Sequence, residues 1–289
     1  MIKQIFKSVV MSCALTSASV FALPVDLGNA GNYTLLATGT TVHHGIQDMG
    51  SLVLGSEAYI YGNVGARDQL NMAHGAIVYG DADYGSLIQE PGSSIEGDAN
   101  AQASAAFWDA LYTDVKSASV AAKNLTGSSK GYINSSQTFN TQGDLSVFNI
   151  LGLSLSAGSK LTLSGDADDV FIINVDYFGF YLGGGAEIAL AGGLKAENVL
   201  FNMHGAYNAG HVNVAAGTMK GTYIAPDAYM QLGDGLNLDG VRFLGAGISG
   251  NLQTVKGFTP PPVVSVPEPS VLLMFGLGLF GLGVMRRSR

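Results

Sequence analysis

A glycine-centred repeat with a period of about 18 residues most strongly limits the possible folds. Gly62, Gly80 and Gly97 lie 18 and 17 residues apart, and each is preceded two positions earlier by Ile or Val and followed by Asn or Asp. Alternating apolar residues predict short strands, and Gly–Asx pairs suit the tight turns between strands. The period is too short for a pair of helices and fits one coil of a β-solenoid.

The same pattern returns in the second half of the chain, where Gly221 and Gly240 lie 19 residues apart. Forty glycines, with Val, Ile, Leu and Tyr between turn residues, indicate a mainly β protein. We therefore expect residues 23–258 to form a β-solenoid. A β-sandwich with regular hairpins is the alternative, because its strands recur at a compatible spacing.

One segment between the two sets of repeats has helical periodicity. Glycine and proline are absent from residues 101–123, where apolar side chains recur at steps of three and four residues. These side chains are Phe107, Leu111, Val115, Ala118 and Ala122. The pattern predicts one amphipathic helix over residues 101–124, packed along the side of the solenoid and capped at its start by Asp98 or Asn100.

The N-terminal residues 1–22 have the features of a signal peptide. Two lysines precede an apolar stretch, and Val20 and Ala22 occupy the −3 and −1 positions of a signal peptidase site. We expect cleavage after Ala22. Because Cys13 is the only cysteine, the mature chain would contain neither a disulfide nor a thiolate zinc site.

The C-terminal end contains three elements in a fixed order. Residues 259–269 are a proline-rich linker, and residues 270–289 hold an apolar run followed by a basic end. As a helix, the run of 15 apolar residues would span roughly 22 Å, less than the roughly 30 Å hydrocarbon core of a bilayer. This hydrophobic helix would therefore be a marginal anchor, and its basic end is expected on the cytoplasmic side.

These three elements resemble the PEP-CTERM sorting signal. The residues that carry the resemblance are Pro267, Glu268 and Pro269 in the tripeptide, and Arg286, Arg287 and Arg289 at the basic end. The resemblance implies processing near the tripeptide by a membrane transpeptidase of the exosortase type, with the C-terminal segment in the inner membrane before processing. An ordinary C-terminal membrane anchor is the alternative.

Charge excludes one class of partner. Without the two terminal signals, the chain carries 12 more acidic than basic residues. Such a surface repels polyanions, and the sequence contains no basic patch that would offset this repulsion. We therefore expect no nucleic-acid partner.

Four segments resemble a known domain family. Residues 26–37 are similar to the opening of ice-binding-like domains, which are discontinuous right-handed β-solenoids with a long helix alongside. Residues 169–175, 198–203 and 221–228 resemble three successive strand blocks of that domain, and the last two are also similar to the choice-of-anchor A domain of bacterial surfaces. The resemblance implies an exported solenoid for surface or matrix display, with adhesion or ice binding as possible roles.

Two sets of side chains are candidates for ligand contact. Thr38 and Thr40 belong to the single dense threonine cluster, and flat threonine rows are what an ice-binding face requires. Tyr59, Tyr61 and Tyr79 lie in the repeats and could stack on sugar rings, because tyrosine combines an apolar face with a hydroxyl. Ordinary packing between coils is the alternative for the tyrosines.

Catalytic and metal sites have weaker support. Asp168, Asp169, Asp176 and His204 resemble parts of the polygalacturonase carboxylate set, but their order differs and no Arg-x-Lys clamp follows. Acidic residues after glycine, as at 80–83, could bind calcium, yet tight turns also favour Asp at this position. We therefore predict no catalytic residue, no metal and no cofactor.

Together these observations predict a non-enzymatic exported protein of the cell surface or extracellular matrix, associated with exopolysaccharide and structural or adhesive in role. Its expected partners are an exosortase-type enzyme, the membrane through its C-terminal segment, and polysaccharide or ice. An ice-binding protein is the first alternative. A glycan-active β-helix enzyme is the second.

Overall fold

The computed structural model describes residues 23, 25–39, 49–176, 179–204 and 212–258. These residues fall in the unit Met1–Phe258, and the unit Thr259–Arg289 lies outside the described part. The described strands are β1 Tyr33–Ala37, β2 Leu52–Leu54, β3 Tyr59–Tyr61, β4 Asn63–Met72, β5 Ile77–Val78, β6 Ala82–Gln89, β7 Ser94–Ile95, β8 Ala99–Ala101, β9 Ser128–Ile133, β10 Gln137–Asn140, β11 Leu145–Leu155, β12 Lys160–Ser164, β13 Val170–Val175, β14 Phe180–Leu182, β15 Ala186–Ala191, β16 Val199–Met203, β17 Val212–Val214, β18 Gly217–Thr218, β19 Gly221–Leu232, β20 Leu236–Asp239, β21 Val241–Gly250 and β22 Thr254–Lys256. The helix α1 is Ala105–Lys123, and short 3-10 helices occupy Gly28–Asn32 and Ala196–Asn198.

The strands stack in parallel coils with three faces. The first face contains β13, β16, β1 and β8, and the second contains β14, β17 and β2. Long strands such as β4, β11, β19 and β21 bend at the corner and contribute to both faces. The third face runs in the order β10, β12, β15, β18, β20, β22, β3, β5 and β7. All strand pairs among the described residues are parallel, as in a β-solenoid and unlike an antiparallel β-sandwich.

The two halves of the chain build opposite ends of the solenoid and meet in its middle. Strands β1 to β8 stack toward one end, and α1 then connects β8 to β9 at the other end. The later strands stack back toward the middle, so that β1 lies between β21 and β4. Leu35 is in register with both Phe243 and Val64. The middle of the molecule therefore joins residues that are far apart in sequence.

Alternate side chains of each strand point into the solenoid and form its core. Phe201, Tyr223 and Phe243 stack on successive strands, with ring centroids 4.9 and 5.1 Å apart. Burial raises the pKa of Tyr223, whose hydroxyl donates a hydrogen bond to the Lys220 carbonyl at 3.0 Å. Stacked coils thus bury apolar surface that a single coil would expose.

The repeated glycines lie where the backbones of neighbouring coils touch. A Cβ atom on Gly80 would lie 2.6 Å from the carbonyl oxygen of Gly62, and a Cβ on Gly97 would lie 2.6 Å from that of Gly80. Any side chain at these corners would push the coils apart. The glycine repeat found in the sequence therefore marks one solenoid corner.

The first face is buried on both sides from β13 to β1, because α1 covers its outer surface there, whereas the residues of β8 are exposed. A second apolar cluster joins outward side chains of this face to the inner stripe of α1. The face contributes Leu36, Val147, Ile172, Leu200, Ile224 and Leu244, and α1 contributes Trp108, Leu111, Val115, Ala118 and Ala122. The predicted packing of the helix along the solenoid is confirmed.

The helix begins later than the sequence predicted. It was expected over residues 101–124, but Ala101 belongs to β8 and the helix occupies Ala105–Lys123. Ser104 holds the N-cap position and makes no side-chain capping hydrogen bond. Asp98 and Asn100 are therefore not the cap, because the chain pairs with β6 before it turns into the helix.

A row of three asparagines, the asparagine ladder, ties α1 to the first face; Asn174 and Asn202 are buried and Asn149 is half-buried. Asn149, Asn174 and Asn202 occupy matching positions on β11, β13 and β16. Nδ2 of Asn202 donates to Oδ1 of Asn174 at 2.9 Å, and Nδ2 of Asn174 donates to Oδ1 of Asn149 at 3.0 Å. The same amides donate to the helix carbonyls of Ser119 and Ala122, each at 2.9 Å. This pairing satisfies polar groups inside an apolar interface.

Candidate ligand-binding face

The three candidate tyrosines come together on the third face. Tyr59 and Tyr61 lie on β3, and Tyr79 directly follows β5. Tyr61 and Tyr79 stack with ring centroids 4.5 Å apart and planes inclined by 14°, while 45% and 44% of their surfaces stay exposed. Desolvation raises the pKa of the Tyr79 hydroxyl, and the Tyr61 hydroxyl raises it further. We call Tyr59, Tyr61 and Tyr79 the tyrosine patch.

The backbone register explains this arrangement. Tyr59 is in register with Ile77, and Ile60 is in register with Val78. The N–H of Tyr79 donates to the carbonyl of Ile60 at 2.8 Å, which continues the pairing. Because side chains alternate along a strand, Ile60 and Val78 point into the core and the tyrosines point outward.

A shallow polar groove of about 240 Å³ adjoins the tyrosine patch on the same face. Strands β20 and β22 form it together with Gln253, which directly precedes β22. Its polar lining residues are Asn237, Asp239, Gln253, Thr254 and Lys256. Thr254 and Lys256 are in register with Tyr59 and Tyr61, so the groove continues directly into the patch. The combined surface offers aromatic rings beside amide, hydroxyl and charged groups.

The threonine candidates do not form a comparable surface. Thr38 is fully buried, and its hydroxyl lies 3.4 Å from the carbonyl of Gly245, so it cannot serve as a surface contact. Thr40 lies outside the described residues. Among the registers of the described strands, Thr138 and Thr162 are the single pair of threonines on neighbouring strands. A continuous threonine row is therefore absent from the described faces.

The acidic residues that resemble a glycan-hydrolase set are not assembled into one site. Asp168 and Asp169 precede β13, whereas Asp176 follows β13 and His204 follows the neighbouring β16. Six residues of β13, at about 3.3 Å each, separate the two groups by about 20 Å. Paired carboxyls of glycosidases lie roughly 5 to 10 Å apart, so these two groups are too far apart to act as such a pair.

His204 directly follows β16, where desolvation and the nearby Lys123 lower its pKa.

The acidic turns use their side chains for backbone hydrogen bonds. Oδ1 of Asn63 accepts the N–H of Asp81 at 2.9 Å, and Oδ1 of Asp81 accepts the N–H of Asp98 at 2.9 Å. Oδ2 of Asp169 accepts the N–H of Asp166 at 2.7 Å. These bonds support the interpretation as turns. Within the described residues, no group of three or more His, Cys, Asp or Glu side chains could hold a metal ion.

The predicted terminal signals lie outside the described residues. This applies to Val20 and Ala22 at the N-terminus and to the residues of the sorting signal, namely Pro267, Glu268, Pro269, Arg286, Arg287 and Arg289. In the part of the chain that is described, no helix is both long and apolar enough to cross a bilayer.

Two protein-family models match the chain. The family model of the ice-binding-like adhesive domain matches residues 23–253. The chain belongs to this family. A second model, the PEP-CTERM protein-sorting motif, matches residues 265–288 and confirms the sorting signal predicted from the sequence. A protein with this adhesive domain and this motif is an exported, surface-directed protein. No curated protein sequence matches the chain significantly.

Solved structures share the fold of this adhesive domain. An ice-binding protein of the Antarctic ascomycete Antarctomyces psychrotrophicus is 18% identical with a TM-score of 0.57, over 81% of this chain and 98% of that chain. An ice-binding protein of an Antarctic Flavobacteriaceae bacterium is 19% identical with a TM-score of 0.59, over 83% and 48%. An ice-binding protein from an Arctic yeast is 16% identical with a TM-score of 0.55, over 84% and 98%. These values establish a common β-solenoid fold.

The polar groove beside the patch was not found from the sequence. Gln253, Thr254 and Lys256 lie 174 to 197 residues after the tyrosines in the chain, and β22 pairs with β3 at the junction of the two halves. The available signal was the resemblance to a discontinuous solenoid, which requires some late strand to lie beside an early one. That resemblance does not specify which strands meet.

Proposed function

We propose that this protein is a non-catalytic adhesin of the cell surface or extracellular matrix, which binds extracellular polysaccharide through the tyrosine patch and its groove. The observation that carries the proposal is the exposed Tyr61–Tyr79 stack beside a polar groove on one face. A sugar ring combines apolar C–H groups with a rim of hydroxyls. An aromatic surface next to amides and hydroxyls is complementary to both parts.

The net charge of the domain indicates which class of polysaccharide it would bind. The exported part carries 12 more acidic than basic residues, and Lys256 and Glu96 border the stacked pair with opposite signs. A polyanionic chain would be repelled by the net field of the domain. We therefore favour a neutral polysaccharide.

The route to the surface follows from the two signals. In our proposal, signal peptidase cleaves after Ala22 and an exosortase-type enzyme processes the chain at Pro267-Glu268-Pro269. Residues 270–289 hold the protein in the inner membrane until that step, with the arginines on the cytoplasmic side. The matched sorting motif supports this order of events. Deletion of residues 266–289 should release or misplace a folded protein, and normal envelope retention would contradict this route.

Binding of neutral polysaccharide is tested with residues 23–258 in affinity gel electrophoresis. Retardation by at least one neutral polysaccharide in a panel is expected, and Tyr61→Ala and Tyr79→Ala should each weaken it. Tyr181→Ala is the matched control, since Tyr181 is 44% exposed but lies on β14 in the second face. If the panel causes no retardation, or if all three variants behave alike, the tyrosine patch is not the binding surface.

Ice binding is the second candidate, favoured by the fold shared with ice-binding proteins. Thermal hysteresis and recrystallisation assays on the same protein separate the two functions. Activity that is retained in Tyr61→Ala and Tyr79→Ala would assign ice binding to another face. Absence of activity at high protein concentration would remove this candidate.

A further inference from the structure

We propose that Tyr61 and Tyr79 form an oxidative cross-linking site, at which a one-electron oxidant couples the two rings into an intramolecular dityrosine. The site would join two neighbouring coils covalently. This inference is independent of polysaccharide binding, because it depends on the chemistry of the phenols and on their distance.

The geometry brings the reacting carbons together before oxidation. The two rings are nearly parallel with centroids 4.5 Å apart, so that their carbon atoms meet at about van der Waals distance. Backbone pairing between β3 and β5, which the hydrogen bond from the Tyr79 N–H to the Ile60 carbonyl continues, holds the two side chains on neighbouring coils. Rotation of either exposed ring about its side-chain bonds can bring one ortho carbon onto the other. Both rings are almost half exposed, so a soluble oxidant can reach them.

The reaction balances with a peroxide oxidant. Each phenol loses one electron and one proton to give a phenoxyl radical, and the two radicals form a carbon–carbon bond between ortho positions. Loss of the two ring hydrogens to solvent and return of two protons to the phenolic oxygens restore both aromatic rings. The net change is removal of two hydrogens from the protein, and one hydrogen peroxide is reduced to two waters by a haem peroxidase.

Tyr33, Tyr112 and Tyr181 are placed differently. Tyr33 and Tyr112 donate hydrogen bonds to Asp83 and Asp227, and they are not fully accessible to an oxidant. Tyr181 is exposed, but its partners in register on the adjacent strands are Ser154 and Asn213.

The proximity of the two tyrosines favours a link within one molecule over a link between molecules. Two groups held in contact react as if each were present at a very high local concentration. Coupling between separate molecules, at micromolar protein, is a bimolecular event without this advantage. The expected product is therefore a monomer with an internal link that closes a loop from residue 61 to residue 79. Because Cys13 is the sole cysteine, such a link would supply a staple that no intrachain disulfide can provide.

The experiment treats residues 23–258 with hydrogen peroxide and a haem peroxidase. We expect dityrosine fluorescence, a mass lower by two hydrogens and migration as a monomer on a denaturing gel. Tryptic cleavage after Arg67 separates the two tyrosines, so their peptides should remain joined only in the oxidised protein. Fragment-ion sequencing should assign the link to Tyr61 and Tyr79.

The variants Tyr61→Phe and Tyr79→Phe keep both rings and should each lower the yield of this monomeric dityrosine at least tenfold. Tyr181→Phe is the control and should leave the yield unchanged. The proposal is overturned if the internal link forms equally well in Tyr61→Phe, if it joins another pair of tyrosines, or if only cross-linked dimers appear. Circular dichroism of each variant before oxidation checks that the fold is intact.

Discussion

Replacing Asn202 by alanine tests whether the asparagine ladder fastens the helix to the solenoid. Asn202 is fully buried and takes part in three hydrogen bonds, to the Ser119 carbonyl at 2.9 Å, to Oδ1 of Asn174 at 2.9 Å and from the Ser119 hydroxyl at 2.7 Å. Each bond contributes about 1 kcal/mol, and the lost side-chain volume adds about 1 kcal/mol. We therefore expect Asn202→Ala to lower the free energy of unfolding by about 3 to 5 kcal/mol.

Two further variants separate the hydrogen bonds from the space they occupy. Asn202→Leu restores volume but leaves the carbonyl and hydroxyl of Ser119 without the amide, so it should still cost about 2 kcal/mol or more. A double-mutant cycle of Asn202→Leu with Ser119→Ala should show a coupling energy of about 1 kcal/mol. Asn213→Ala is the control, since Asn213 is exposed on β17, and a change within about 0.5 kcal/mol is expected.

Urea denaturation followed by two signals provides the assay. Trp108, the single tryptophan, is buried in α1 under the first face, so its fluorescence reports detachment of the helix. Far-ultraviolet circular dichroism reports the strands of the solenoid. A loss below 1 kcal/mol in Asn202→Ala, or an equal loss in Asn213→Ala, would show that apolar packing alone holds the helix.

Two other predictions concern the coil corner and alkaline pH. Gly80→Ala should lower the urea midpoint at a cost of about 1 to 3 kcal/mol, because its Cβ would meet the Gly62 backbone, whereas Gly184→Ala meets no atom within 4 Å and should be neutral. Desolvation, followed by the hydrogen bond to Asp227, raises the pKa of Tyr112 from 10.0 to about 12. Its neutral form is thus favoured in the fold, so this stabilisation is complete below pH 10.0 and lost toward pH 12. In denaturation series across this range, Tyr112→Phe should make the loss of stability shallower; an unchanged slope would contradict the argument.

Much of the solenoid was predictable because its coils repeat a local pattern. Glycine at the corner is required by close contact with a neighbouring coil, and this requirement recurs at Gly62 against the Thr34 side chain, at Gly80 against the Gly62 backbone and at Gly97 against the Gly80 backbone. The helix was predictable from the spacing of its apolar residues, but the residue at which it begins was not. Residues 99–101 form β8 instead, because they pair with β6. Local patterns predict elements well and the competition between neighbouring elements less well.

The asparagine ladder and the polar groove depend on contacts that no local pattern specifies. Each asparagine of the ladder stands between two apolar residues in the sequence, at Asn149, Asn174 and Asn202. This recurring pattern was the only local signal of the ladder. Asparagine in a strand instead indicates a turn or an exposed position by composition alone. The buried role of Asn174 and Asn202 depends on their hydrogen bonds to carbonyls of α1, which are distant in sequence. The tyrosine patch was predictable because all three residues lie in adjacent coils.

The junction between the two halves of the chain has a consequence for secretion. Strand β1 pairs with β21, and Leu35 is in register with Phe243 although almost the whole sequence of the domain lies between them. While the C-terminal strands are still being synthesised, the early coils lack the surface on which they pack, and contacts over such sequence separations form slowly. A newly made chain would therefore stay partly unfolded during synthesis, which is the state that a translocation channel accepts. The junction that completes the solenoid can therefore close only after residues 241–250 have been made.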